Sequence, residues 1–161
     1  MDIQKIYEDA LRDPTLFAQL DVDAILDSLE NTSNDYLENK NLESIQRDIL
    51  HRLQDQRYGR TVMQTFSAKL ADYRYVDEIR DLHKGKHVRW IRMDSPGEPK
   101  LTNGGIVVEI KFLDNGTHIL TKNNQHRFVQ YKFDDCITFQ KLSMEEQLIL
   151  MAYDFMNRME P

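Results

Sequence analysis

Four of the five histidines, His83, His87, His118 and His126, lie in the same part of the chain as its single cysteine, Cys136. Zinc is held by nitrogen and sulfur ligands at close, recognisable spacing. Here the spacing is irregular and Cys136 stands alone, so ordinary surface histidines outweigh a metal site. His118 and Cys136 could still be neighbours across strands. Cys136 with His126 and Asp134 or Asp135 also supplies the residue types of a cysteine nucleophile, its base and an orienting acid. No oxyanion-hole glycines and no protease signature surround them. A strand cysteine is more often a small buried hydrophobe. The expectation is a non-enzyme with no catalytic residue, no cofactor and no metal.

Binding chemistry is better represented. Arg89 and Arg92, with Lys84 and Lys86, form a basic run, and Lys100, Lys111, Lys122, Arg127 and Lys132 extend it. Trp90, Phe128 and Tyr131 lie among these cations. Basic strands with interleaved aromatics suit single-stranded nucleic acid, whose phosphates are neutralised and whose bases stack. The expected contacts are Arg89, Arg92, Lys111, Lys122 and Arg127 to phosphates, with Trp90 and Phe128 under bases. The plain alternatives are that aromatics fill a core and that strand lysines discourage edge pairing. Gly104-Gly105 is not a phosphate loop, because no Gly-Lys-Ser/Thr ending and no helix follow. The pair reads as a bulge or bend.

The net charge of −6 hides an asymmetry. Residues 1–50 carry 12 acids against 4 bases, whereas residues 51–132 carry 15 bases against 9 acids. A basic middle between acidic ends fits either a nucleic-acid surface or a basic region facing the chain's own acids. Hydrophobic residues make up 40% of the 161 and charged residues 30%, a globular profile that is neither disordered nor membrane-spanning. No run approaches the ~20 apolar residues of a spanning helix, and no apolar signal-peptide core follows Met1. One cysteine fits a reducing compartment, so a cytoplasmic setting and no membrane partner are expected.

The elements that would position these groups follow from periodicity. Ile3, Ile6, Tyr7, Ala10 and Leu11 share a helical face. Pro14 ends that helix and can open a second one to Leu20, and Asp21 can cap a third with Val22, Ile25, Leu26 and Leu29 inward. After the polar break at 31–34, Leu42, Ile45, Ile49 and Leu53 form another stripe. Val62, Met63, Phe66, Leu70 and Tyr73 predict a helix running to about Asp81. From His87 the period changes to two. Strands are expected at 87–93, from Gly105 through Phe112, at 117–122, at 127–133 and at 136–140. Asp114-Asn115-Gly116 is the strongest hairpin signal. Ser143 and Glu146 then form a capping box before a helix with Leu148, Met151, Ala152, Phe155 and Met159 on one stripe.

This pattern, with glycines leading into a strand and an Asn-Gly hairpin, resembles the small Tudor and KOW barrels over about residues 84–142. Leu101 to Val107, Asp114 to Ile119 and Phe139 to Ser143 look like segments of uncharacterised proteins of large cytoplasmic DNA viruses. That resemblance implies a viral factory or virion setting and no known activity. The expected fold class is α+β, with a helical region over 1–82 and a five-stranded antiparallel barrel with a packed C-terminal helix over 83–161. The expected function is a non-enzymatic binding module contacting DNA or RNA through its basic strands. The alternative is a protein-interaction or assembly component whose helices dock partners or self-associate.

Overall fold

The computed structural model describes residues 32–159. The helices expected before residue 31 lie outside them. The described residues belong to two compact units, one spanning 45–141 and the other comprising 32–44 and 142–159.

In the 45–141 unit, helix α1 (Leu42–Asp55), which begins just before it, buries Ile45, Ile49 and Leu53, one residue per turn on the expected stripe. Helix α2 (Arg60–Lys69) buries Phe66 and stops far short of Asp81. The amide of Leu70 closes its last turn on Phe66 O and Ser67 O, and Gln46 Nε2 donates to Ala71 O at 2.8 Å. These bonds satisfy carbonyls that a longer helix would have used. Tyr73–Val76 then forms strand β1. Leu70 and Tyr73 matched the helical spacing, but the aromatic and β-branched side chains of Tyr-Arg-Tyr-Val gain a ladder on β6 that a helix forgoes.

The remaining strands are β2 (His87–Arg92), β3 (Gly105–Leu113), β4 (Gly116–Lys122), β5 (Phe128–Lys132) and β6 (Cys136–Lys141). A 3-10 turn over Phe133–Asp135 joins the last two. All six form one antiparallel sheet in the order β1-β6-β2-β3-β4-β5. The fold is therefore α+β with an open six-stranded sheet, which corrects the expected closed barrel of five strands. The reason is one of hydrogen-bonding capacity. A strand has two ladder sides, and β6 spends one on β2 and the other on β1. Neither side is left for β5, so β1 and β5 remain edges.

The open sheet nonetheless folds its inner face on itself. Trp90 of β2 stacks on Tyr131 of β5 at 4.2 Å between centroids, 17° from parallel. The Tyr131 hydroxyl lies 3.0 Å from Thr138 Oγ1 on β6. Val88, Val107 and Ile119 complete this cluster. The opposite faces of β2 and β6 place Ile91, Ile137 and Phe139 against Ile49, Leu53, Phe66 and Leu70 of the helices. Both strands are thus covered on two sides, and residues 137–140 of β6 are buried without alternation. Each of those large apolar side chains contributes about 1.5–3 kcal/mol by burial. Two buried polar residues hold the connection from β1 to β2: Arg74 donates to Asp81 O, and Gln140 Oε1 accepts from His83 N at 2.8 Å.

In the other unit, a 3-10 turn spans Thr32–Leu37 and helix α3 spans Met144–Met159. The capping box forms as expected: Glu146 N donates to Ser143 Oγ at 3.1 Å and Ser143 N to Glu146 Oε1 at 2.9 Å. The Tyr36 hydroxyl donates to Glu146 Oε2 at 2.7 Å, tying the turn to the helix start. Leu148 and Ala152 are buried as expected, and so are Ile149 and Leu150. The Met159 side chain lies outside the described residues. A second reciprocal cap, not anticipated from sequence, joins Asn41 and Ser44 at the start of α1, with amide bonds of 2.8 and 2.9 Å. Among the described residues no helix is long and apolar enough to cross a membrane.

Gly104, just before β3, lies against the backbone of β2. Its φ is +76°, and a Cβ there would sit 1.8 Å from Val88 O. Gly97 has φ +86° but open space around it. Urea unfolding is therefore expected to rank the two alanine variants differently. Gly104→Ala should cost about 3 kcal/mol or more, from clash added to strain, and Gly97→Ala about 1 kcal/mol from strain alone. Equal losses would remove the close approach as the reason for the glycine.

Candidate nucleic-acid interface

Strand register assigns the faces. Cross-strand partners share a face, so Ile106, Lys122 and Phe128 form one row across β3, β4 and β5. Glu109, Leu120 and Gln130 form the next row, and Lys111, His118 and Lys132 the third. A bulge between Val107 and Glu109 inserts Val108 beside them. This outer face carries Phe128, 61% exposed, and exposed Ile106 and Val108. Lys122 Nζ lies 5.7 Å from the Phe128 centroid, within cation–π range. Lys111 Nζ reaches Gln130 Oε1 at 3.4 Å. From Gly116 to Phe133 the chain contains Lys122, Arg127 and Lys132 and no acidic residue.

The seven residues singled out from sequence do not share one surface. Lys111, Lys122 and Phe128 share the outer face, and Arg127 directly precedes β5. Trp90 is corrected to a core residue: it is 5% exposed and stacked on Tyr131, so no base can reach its face while that stack holds. Arg89 projects on the side of β2 opposite Trp90, and its Nε donates to Thr102 O at 2.8 Å. It braces the loop that returns to β3. Arg92 follows Trp90 on the inner side, opposite Cys136 across the ladder. His118 and Lys132 complete the row begun by Lys111, although neither is among the seven and the sequence marks Lys132 only as part of the basic run. For His118 the signal was the hairpin itself. Once Leu113 pairs with Gly116, Lys111 must oppose His118.

Two clefts open beside β5. One of about 460 Å³ is bordered by Arg92, His118, Tyr131, Lys132, Asp135 and Cys136. The other, about 570 Å³, is bordered by His87, Asn103, Ile106, Lys122, Asn124 and Gln125. Trp90 and Val129 touch both. His118 and Cys136 both border the first cleft. Even so, among the described residues no group of three or more His, Cys, Asp or Glu is placed to hold a metal ion. In the second cleft, burial and then the charges of Lys141 and Arg89 hold His87 below the usual histidine range. The Tyr73 hydroxyl stands 3.0 Å from its Nδ1.

Cys136 is half-buried. Burial, reinforced by Asp135 and Asp94 and opposed by Arg92, pushes its thiol up to about 11. A thiolate is the reactive form, so this cysteine is a poor nucleophile near neutrality. Alkylation of the native protein by iodoacetamide at about pH 8 is expected to run at least about tenfold slower than for a free cysteine of pKa ≈ 8.5. Mass spectrometry over a time course would measure this, and a rate matching free cysteine would restore Cys136 as a nucleophile candidate.

No protein-family model, no curated protein and no solved structure matches this chain.

Proposed function

We propose that this protein is a non-enzymatic module that binds single-stranded nucleic acid on the outer face of β3, β4 and β5. The observation that carries this reading is the solvent-exposed Phe128 ring beside Lys122, on a hairpin with three cations and no acid. An exposed aromatic on a strand gives up burial energy that a core position would have recovered. A base laid on its face recovers it, and stacking of this kind contributes about 1–3 kcal/mol per base. Lys111, Lys122, Arg127 and Lys132 would neutralise phosphates on either side. A duplex fits less well, because its bases are already stacked on each other. A cytoplasmic setting, or a viral factory or virion, belongs to the same proposal.

Fluorescence anisotropy with a labelled thymidine oligonucleotide of about 16 nucleotides tests it. Neutralising three or four phosphates should give a slope of about −2 to −3 in log K against log salt. Phe128→Ala should weaken binding by about 1–3 kcal/mol with little change in that slope. Lys122→Ala should flatten the slope by about 0.7. Absence of binding at about 50 mM salt would overturn the reading.

A further inference from the structure

Among the described residues the sheet ends at β5, whose ladder partner there is β4. The direction of its unused backbone groups can be worked out. Asn123 N donates to Arg127 O at 2.9 Å, which marks 123 and 127 as a hydrogen-bonded pair. Such pairs alternate with non-bonded ones along an antiparallel ladder. Lys122↔Phe128, Leu120↔Gln130 and His118↔Lys132 are therefore the non-bonded pairs. The N–H and C=O groups of Phe128, Gln130 and Lys132 point away from β4. Among the described residues no turn, loop or cap backbone group bonds to those of Phe128 and Gln130, whereas the C=O of Lys132, which caps the 3-10 turn at Phe133–Asp135, is taken up by the start of that turn. Phe128, Val129 and Gln130 are all exposed, so this part of the edge is open to solvent, while Tyr131 is buried and Lys132 half-buried.

We infer that β5 is an acceptor edge for an extended, acidic segment of a partner protein. Added strands take their affinity from main-chain bonds and their specificity from alternate side chains. A strand on β5 would set one half of its side chains over the two clefts that Val129 borders. The other half would lie beside Phe128, Gln130 and Lys132. Charge decides the partner's composition. Lys122, Arg127 and Lys132 flank the edge, against one acid bordering the adjoining cleft, Asp135; Arg92 in that cleft is already paired with Asp94 at 3.9 Å. A second copy of the same strand would bring the cations of two hairpins together, and like charges across a strand pair are unfavourable. The same cations disfavour the methylated lysine side chains that aromatic pockets can otherwise hold. This edge adjoins the outer face assigned to nucleic acid and shares Phe128, Lys122, Arg127 and Lys132 with it, but the inference is carried by the outward backbone groups and does not rest on that assignment.

The probe is a labelled octapeptide of alternating glutamate and valine, with a lysine-for-glutamate version as control. The glutamate peptide is expected to bind and to slow amide exchange at Phe128, Gln130 and Lys132. Val129 and Tyr131, already bonded to β4, should change little. Gln130→Pro removes an outward N–H without touching the β4 ladder, a position where edge proline is tolerated. It should weaken the peptide at least about tenfold, or 1.4 kcal/mol. Protection of the outward amides by the peptide, and its absence with oligonucleotide, separates failure of this inference from failure of the nucleic-acid assignment. Should Gln130→Pro unfold, amide exchange in the unaltered protein still decides. No binding of the glutamate peptide, equal binding of the lysine peptide, or protection of the three amides by oligonucleotide instead of peptide would each overturn the inference.

Discussion

The structure depends on β6 pairing on both sides. With β2 on one side and β1 on the other, β6 becomes the strand around which the 45–141 unit is assembled. Its residues 137–140 are all buried, including the polar Thr138 and Gln140. Burying polar groups is costly unless they are bonded. Thr138 meets the Tyr131 hydroxyl and Gln140 Oε1 receives the His83 amide. Gln140 Nε2 is left without a bond, a cost that the apolar packing of Ile137 and Phe139 on either side offsets. Both faces of the strand are sealed, one by α1 and α2 and the other by the curl of the sheet.

The surface chemistry follows from that arrangement. Because β6 has no free side, β5 cannot be closed off and stays an edge with exposed residues. Because α1 and α2 cover the sheet at β2 and β6, the same face at β3, β4 and β5 is left to solvent. Phe128 and Trp90 illustrate the consequence. Both are aromatic residues on strands among cations, yet one is sealed in the core and the other is the most accessible ring of the outer rows. What separates them is which side of the pleat each occupies and which strand carries it. Arg89 and Lys122 differ for the same reason. The arginine is spent on Thr102 O, and the lysine is left beside an exposed ring.

Local signals were legible where local bonds settle the outcome. The Asp114-Asn115-Gly116 turn, the Ser143–Glu146 cap and the α1 stripe each involve residues within a few positions of one another, and each appears as read except that Leu42, the first residue of the stripe, is exposed. Where a long-range ladder competes, local spacing misled. Tyr73 continued a helical stripe, but its segment pairs with residues 138–141. That gain cannot be seen from residues 62–81. The barrel expectation failed on the same point. Five strands with tight turns can close, unless a sixth arrives from a region read as helix and takes the free side of the last. The outer row of Lys111, His118 and Lys132 lay between these cases, since the hairpin implies its first pair and only the β4–β5 ladder adds the third.

Residue order alone was enough to place the hairpin turns, the Ser143–Glu146 cap, most strand and helix positions after residue 41, and the acid-free character of the β4–β5 hairpin. These depend on backbone geometry and side-chain charge within short stretches. Tertiary pairing had to decide the sheet order, the open edge, the burial of Trp90 and the exposure of Phe128. Hydrogen-bonding sides and sheet faces are shared between distant segments, and which segment occupies each is settled by competition among all of them at once.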